Sequence, residues 1–191
     1  MSATDGLGRE GLKRAQRVYA TTEYRRSKPS YRKRLIQYPD TPRKKNYPYT
    51  HVDQIACIAK DLASKPGYSC LSFTVLRPSD LIDKFRPGYV PCLTAGDFKF
   101  RNNKLNLNVL FRTCDALMLG FHDIYYMRLL QNEVLCMAKE LTNNEKLLAG
   151  EIGELNIYFS RIFINKYIKS KNSTSMGVDI AKQVIQALRS P

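Results

Sequence analysis

A short alternating segment, residues 105–111 (LNLNVLF), limits the fold of this 191-residue chain more than any other feature. Apolar side chains occupy every second position, and in a β-strand such side chains share one face. The preceding residues 95–101 are also typical of a strand, and Arg101-Asn102-Asn103 has the composition of a turn. We therefore predict a hairpin with strands at 95–101 and 104–112. Such strands bury one face under helices and leave the second face open to a partner.

Helical spacing of apolar residues is found on both sides of this hairpin. Residues 51–63 predict one helix, and residues 123–141 predict the longest one, with Asp123 as its N-cap. Residues 70–77 alternate and are rich in β-forming side chains, so we expect another strand there. Further along the chain we predict a strand at 154–158, a helix-like segment to 168, a polar linker and a last helix at 178–188. Strands alternating with helices predict an α/β fold.

The positive charge of the chain is concentrated at its N-terminus. The net charge is +14. Residues 1–48 contain clusters of lysine and arginine with prolines and tyrosines between them, so we interpret them as a basic, largely extended arm. Residues 49–191 would form the folded domain. Cations and tyrosines of this kind bind the phosphates and bases of nucleic acid, or another polyanion. A strap across a partner protein is the alternative.

Composition argues against several classes of protein. The five cysteines are odd in number and contain no CxxC pair, so we expect no disulfide framework and an intracellular, reducing compartment, the cytoplasm or an organelle. The two histidines, His51 and His122, do not lie at ligand spacing from a cysteine, so no metal is expected. No apolar run approaches the roughly 20 residues that span a membrane, so no membrane partner is expected.

Side chains that can bind a ligand or take part in catalysis lie in three places along the predicted domain. Pro91-Cys92 precedes the hairpin, Arg112-Thr113-Cys114-Asp115 follows it, and Gly120 and Asp123 open the long helix. A thiol, a cation, a hydroxyl and a carboxylate brought together in this way suit a small anionic ring compound. Each has a plainer interpretation: Cys92 as a packed small side chain, Asp123 as a helix cap, and Arg112 as an ion-pair partner.

This order resembles the thymidylate synthase and dCMP hydroxymethylase family, from about residue 31 to the C-terminus. The resemblance implies a mixed β-sheet with helices on one face, and a homodimer formed through the other face. It implies a pyrimidine nucleotide C5 (hydroxy)methyltransferase that uses 5,10-methylenetetrahydrofolate and no metal. Cys92 would add to C6 of the ring. The substrate-binding residues would be Arg112 and Thr113 at the phosphate, Asp115, Asp123 at the base, and Asn156 and Tyr158 at the position of a His-x-Tyr motif, with Tyr158 on the sugar.

Asp123 occupies the position where thymidylate synthases have asparagine. A carboxylate accepts a hydrogen bond from the amino group of cytosine but does not donate to uracil, so the resemblance favours dCMP as substrate. Other positions depart from the family pattern. Ser69 and Cys70 stand where it has paired arginines, and Leu93 stands where it has histidine. Two hypotheses therefore remain: a dCMP hydroxymethylase-type enzyme, or a catalytically inactive structural or binding subunit of a larger assembly, with or without nucleic acid.

Overall fold

The structure is a computed structural model that describes residues 23–24, 28–39, 51–77, 80, 90–116 and 120–163. The helices are α1 (Tyr31–Ile36), α2 (Gln54–Ser64), α3 (Gly120–Glu140) and α4 (Glu145–Leu148). The strands are β1 (Glu23–Tyr24), β2 (Lys28–Pro29), β3 (Tyr38–Pro39), β4 (His51–Val52), β5 (Ser72–Thr74), β6 (Leu93–Arg101), β7 (Lys104–Phe111), β8 (Cys114–Asp115), β9 (Glu151–Phe159) and β10 (Ile162–Phe163). Within these ranges no helix has both the length and the hydropathy needed to cross a bilayer.

The central sheet has four strands in the order β5-β6-β7-β9. Strands β5, β6 and β7 pair antiparallel, whereas β7 and β9 pair parallel, so the sheet is mixed. The turn between β6 and β7 is formed by Asn102 and Asn103, whose φ angles of 52° and 57° lie in the left-handed region that asparagine tolerates. The predicted hairpin is confirmed.

Helices α2 and α3 cover one face of this sheet. The side chains of Phe98, Leu107 and Phe111 are 0% exposed and point to the helical side, where Leu62 of α2 and Met127 of α3 are equally buried. The other face of the hairpin is polar. The alternation in residues 105–111 therefore predicted correctly which side chains enter the core. The predicted α/β class with a mixed sheet is confirmed.

Several element boundaries differ from the sequence prediction. Helix α3 begins at Gly120, so the prediction of Asp123 as its N-cap is wrong, and Asp123 lies in the first helical turn. The prediction of a helix-like segment after residue 158 is also wrong at residues 162–163. These residues form strand β10, which pairs parallel with β8 because the backbone N–H groups of Cys114 and Ala116 donate to carbonyls there. The linker and helix predicted beyond residue 163 lie outside the described residues.

Part of the predicted extended arm is instead helical and packed. Helix α1 begins after Ser30, whose side chain accepts a hydrogen bond from the Lys33 N–H, as an N-cap does. Leu35 of this helix is 0% exposed and belongs to the hydrophobic core. The folded unit therefore includes residues 31–36. Of residues 1–48, the structure describes only 23–24 and 28–39, so the rest of the predicted arm lies outside the described residues.

Gly96 of β6 provides a test of how tightly the covered face is packed. A methyl group at this position would lie 2.5 Å from Cζ of Phe73 and 2.8 Å from the carbonyl oxygen of Asn108. We expect Gly96→Ala to lower the free energy of unfolding by about 1–3 kcal/mol, since both neighbours must shift. Gly67→Ala is the control, because a methyl group there meets nothing within 4 Å. Urea unfolding compares them, and equal losses would contradict this packing.

Candidate functional site

The start of β6, the end of β7 and the first turn of α3 bring three predicted site residues together. Arg112 follows β7, and its backbone N–H donates to the carbonyl of Cys92, 2.9 Å away. Cys92 immediately precedes β6 and interacts electrostatically with both the Arg112 guanidinium and the Asp123 carboxyl. The order seen in the sequence thus becomes one cluster of a thiol, a cation and an acid. We call Cys92, Arg112 and Asp123 the thiol–acid cluster.

Tyr31 of α1 also belongs to this site, although the sequence analysis gave it no catalytic or binding role. Its hydroxyl hydrogen-bonds the Cys92 thiol and accepts the Leu93 N–H at 3.3 Å. Its ring meets Tyr126 of α3 edge to face, with centroids 5.8 Å apart. The hydroxyl is therefore held at the thiol from two sides. Ser30 is an N-cap signal for the helix that contains Tyr31, but no local pattern predicts that this residue reaches Cys92.

The Arg112 side chain supports the backbone that leads to the thiol. Its Nε donates to the carbonyl of Pro91 at 3.0 Å, and its Nη2 donates to the carbonyl of Val90 at 2.7 Å. These bonds fix residues 90–92 against the end of β7. Because the guanidinium forms hydrogen bonds with carbonyls, Arg112 is a positioning group in this state. The side chain is exposed, so its remaining N–H groups are accessible to an anion.

Asp123 is the most unusual member of the cluster. The residue is 8% exposed, and its Oδ2 atom has no hydrogen-bond partner among the described residues. Burial raises the pKa of this carboxyl to about 7. A buried polar atom without a partner costs about 1–3 kcal/mol, so an incoming N–H or O–H donor at this position would be stabilised.

The two thiols beside Asp123 are both protonated near neutral pH. Burial raises the pKa of Cys92, and the Asp123 charge adds to the shift, while the Arg112 charge and the Tyr31 hydroxyl oppose it. Burial, followed by the charges of Asp123, Cys92 and Asp115, raises the pKa of Cys114 to about 11. Since the thiolate is the nucleophile, Cys92 is not activated in this state.

The remaining predicted site residues lie in different environments. Thr113 is half-buried beside Arg112, and Asp115 is 7% exposed in β8. Asn156 and Tyr158 lie on the sheet face opposite α2 and α3, which we call the uncovered face because no described helix packs on it; Tyr158 is 67% exposed there. They line an open groove of about 740 Å³ whose lining does not include Cys92. The structure therefore assembles the thiol–acid cluster but places Asn156 and Tyr158 in this groove.

A ladder of polar side chains crosses the uncovered face. Asn156 Nδ2 donates to Asn108 Oδ1 at 3.0 Å, and Asn108 Nδ2 donates to Asp97 Oδ2 at 3.3 Å. Lys99 Nζ lies 3.5 Å from the same Asp97 oxygen. Asp97, Asn108 and Asn156 are paired in register across β6, β7 and β9. Asn156, predicted as a substrate ligand, uses its amide nitrogen within this ladder.

A buried ion pair secures α1 against the segment that leads to Cys92. Arg34 is 3% exposed, and its two terminal nitrogens donate to the Asp80 carboxylate at 2.7 and 2.9 Å. Asp80 also accepts the backbone N–H of Arg77 at 2.8 Å, and the Arg77 guanidinium lies 5.3 Å from the centre of the Tyr38 ring. The sequence did not predict this pair, because Arg34 and Asp80 are 46 residues apart in the chain.

Comparison with known proteins adds no family assignment. The chain matches no protein-family model, and a search of curated proteins finds no matching relative.

Proposed function

We propose that this chain binds a pyrimidine nucleotide at the thiol–acid cluster and that it is a divergent, shortened member of the thymidylate synthase and dCMP hydroxymethylase family. The activity we propose is (hydroxy)methyl transfer to C5 of dCMP. One observation carries the proposal: a buried carboxylate oxygen of Asp123 has no donor within the described residues and lies beside a thiol. A ring that presents an amino group to Asp123 would satisfy that oxygen.

The chemistry of the cluster supports cytosine over uracil above neutral pH. An ionised carboxylate only accepts hydrogen bonds, so it pairs with the exocyclic amino group of cytosine and opposes the carbonyl of uracil. The nucleotide phosphate would meet the free N–H groups of exposed Arg112 and the hydroxyl of the adjacent Thr113. Charge-assisted hydrogen bonds from arginine to phosphate are among the stronger polar contacts in proteins.

The reaction would begin with addition of the Cys92 sulfur to C6 of the ring, which makes C5 nucleophilic. Methylenetetrahydrofolate, by the same resemblance, would supply the one-carbon group. None of the described residues is assigned to it. Two groups favour the thiolate of Cys92: the Tyr31 hydroxyl hydrogen-bonds it, and the positive charge of Arg112 attracts it.

A second candidate function is that of a binding subunit without catalysis. Two observations favour it. Burial raises the pKa of Cys92, whereas a catalytic thiol needs its pKa lowered. Arg112 donates two of its side-chain bonds to carbonyls of residues 90 and 91. A nucleotide would then bind at the same cluster and leave unchanged.

Titration calorimetry of the full chain tests nucleotide binding. At about pH 8, where Asp123 is mainly ionised, we expect dCMP to bind about 5–150-fold more tightly than dUMP, as one mismatched buried hydrogen bond requires. Asp123→Asn should shift the preference toward dUMP, because its amide both donates and accepts. Equal affinity of the unmutated protein for the two nucleotides, or no binding of either, would contradict the proposal.

Hydrogen exchange at C5 separates the two candidate functions. Addition of Cys92 at C6 makes the C5 hydrogen exchangeable, so incubation of dCMP in D₂O should replace it by deuterium, as followed by proton NMR. Cys92→Ser should abolish the exchange, and Cys136→Ser, an exposed cysteine of α3, should not. Binding of dCMP without any exchange would favour the binding subunit.

A further inference from the structure

Few of the described groups around Asp123 would hold its carboxyl in one protonation state. Among the described residues, the titratable neighbours from the elements packed against it are Cys92, which precedes β6, and Cys114 of β8, and Tyr31 of α1 hydrogen-bonds Cys92. His122 and Tyr126 lie nearby on its own helix. Arg112 supplies the positive charge of the cluster, and Asp115 adds a negative charge beside Cys114. No hydrogen bond to Asp123 Oδ2 comes from the described part of the chain.

Burial without a donor shifts the titration of this side chain toward neutral pH. The pKa of Asp123 is raised to about 7, far above the value of about 3.9 for an exposed aspartate. Both protonation states are therefore populated near neutral pH. The ionised form offers acceptors only, and the protonated form adds one O–H donor. The carboxyl group of Asp123 can therefore act either as an acceptor only or as a donor, without any change in its position.

We propose that Asp123 gives the nucleotide site two recognition states, an inference that rests on the proposed function. As a carboxylate, Asp123 accepts a ring edge that carries an amino group. As a carboxylic acid, it donates a hydrogen bond to a ring edge that carries a carbonyl group. The site then prefers cytosine nucleotides in the alkaline range and uracil nucleotides in the acidic range.

The size of this effect follows from the populations of the two states. An apparent dissociation constant equals the intrinsic one divided by the competent fraction. About one pH unit above the titration midpoint, about nine-tenths of the molecules carry the ionised carboxyl, and about one unit below it only about one-tenth do. The protonated fraction changes in the opposite direction. Affinity for dCMP should therefore weaken about 10-fold on acidification and affinity for dUMP should strengthen about 10-fold. The ratio of the two affinities should change by up to about 100-fold.

Proton linkage provides a second signature that needs no variant. Binding of dCMP selects the ionised carboxyl and should release protons near pH 7, whereas binding of dUMP selects the acid and should take them up. Calorimetry in buffers of different ionisation enthalpy measures this difference. The nucleotide phosphate, with a second pKa of about 6, contributes equally for both ligands, so the difference between them reports the protein.

The decisive experiment is calorimetry of dCMP and dUMP with the full chain at about pH 6 and about pH 8. The unmutated protein should show the change in affinity ratio, and Asp123→Asn should show a ratio independent of pH. Asp97→Asn, a carboxylate of the uncovered face, should retain the change. If dCMP binds more tightly than dUMP by the same ratio at both pH values, the two recognition states are overturned and the proposed function stays in place. Equal affinity for the two nucleotides at both pH values overturns both. Absence of binding at both pH values overturns both.

Discussion

Replacement of Asp80 by alanine is expected to lower the free energy of unfolding by about 3–5 kcal/mol, since it leaves a buried cation without its partner. Arg34 is 3% exposed and directs both terminal nitrogens at this carboxylate. Burial alone would raise the pKa of Asp80, but the hydrogen bonds from Arg34 and from the Arg77 N–H outweigh it and lower the pKa. The pair therefore stabilises the fold above about pH 4, and its contribution is lost as the pH falls through the folded pKa of Asp80.

A second ion pair in the same part of the molecule serves as the matched control. Arg32 of α1 forms a bidentate pair with Glu133 of α3, but these side chains are 19% and 23% exposed. Because solvent screens a more exposed pair, Glu133→Ala should cost about 1 kcal/mol or less. Urea unfolding of both variants at neutral pH measures the difference. Similar losses for the two variants would show that burial of Arg34 does not set the cost.

Replacement of Asp123 by asparagine is expected to make the protein more stable at alkaline pH. The folded pKa of about 7 lies above the unfolded value of about 3.9, so the aspartate favours folding most below about pH 4 and loses that advantage as the pH rises toward 7. Through this group, the free energy of unfolding of the unmutated protein should fall by about 2–3 kcal/mol between about pH 5 and about pH 8. Asparagine stays neutral throughout and should remove that loss.

Urea unfolding of the two proteins across this pH range provides the measurement. Asp61→Asn is a suitable control, because it makes the same substitution at an exposed position of α2. If Asp123→Asn and the unmutated protein lost stability in parallel, the buried carboxyl would not titrate near pH 7. This readout is independent of any nucleotide and so tests the environment of Asp123 by itself.

Several features of the candidate site were predictable from residue order. Cys92 precedes one strand of a hairpin and Arg112 follows the other, so the hairpin register brings the two together. Asp123 lies in the first turn of α3, the helix that returns across the same sheet. These relations need only the hairpin and the crossover helix. The role of Tyr31 was not predictable in this way, because its partners lie 61 and more residues away and depend on how α1 packs.

The sequence by itself determined the hairpin, the two main helices and the face of the sheet that they cover. Alternation with a period of two and apolar spacing of helical period are local properties, and burial of the apolar face follows from them. Only the tertiary structure decided the protonation of Asp123, the pairing of Arg34 with Asp80 and the separation of Asn156 and Tyr158 from the thiol. Each of these depends on how far water is excluded and on which distant groups approach, and neither is encoded in the spacing of neighbouring residues.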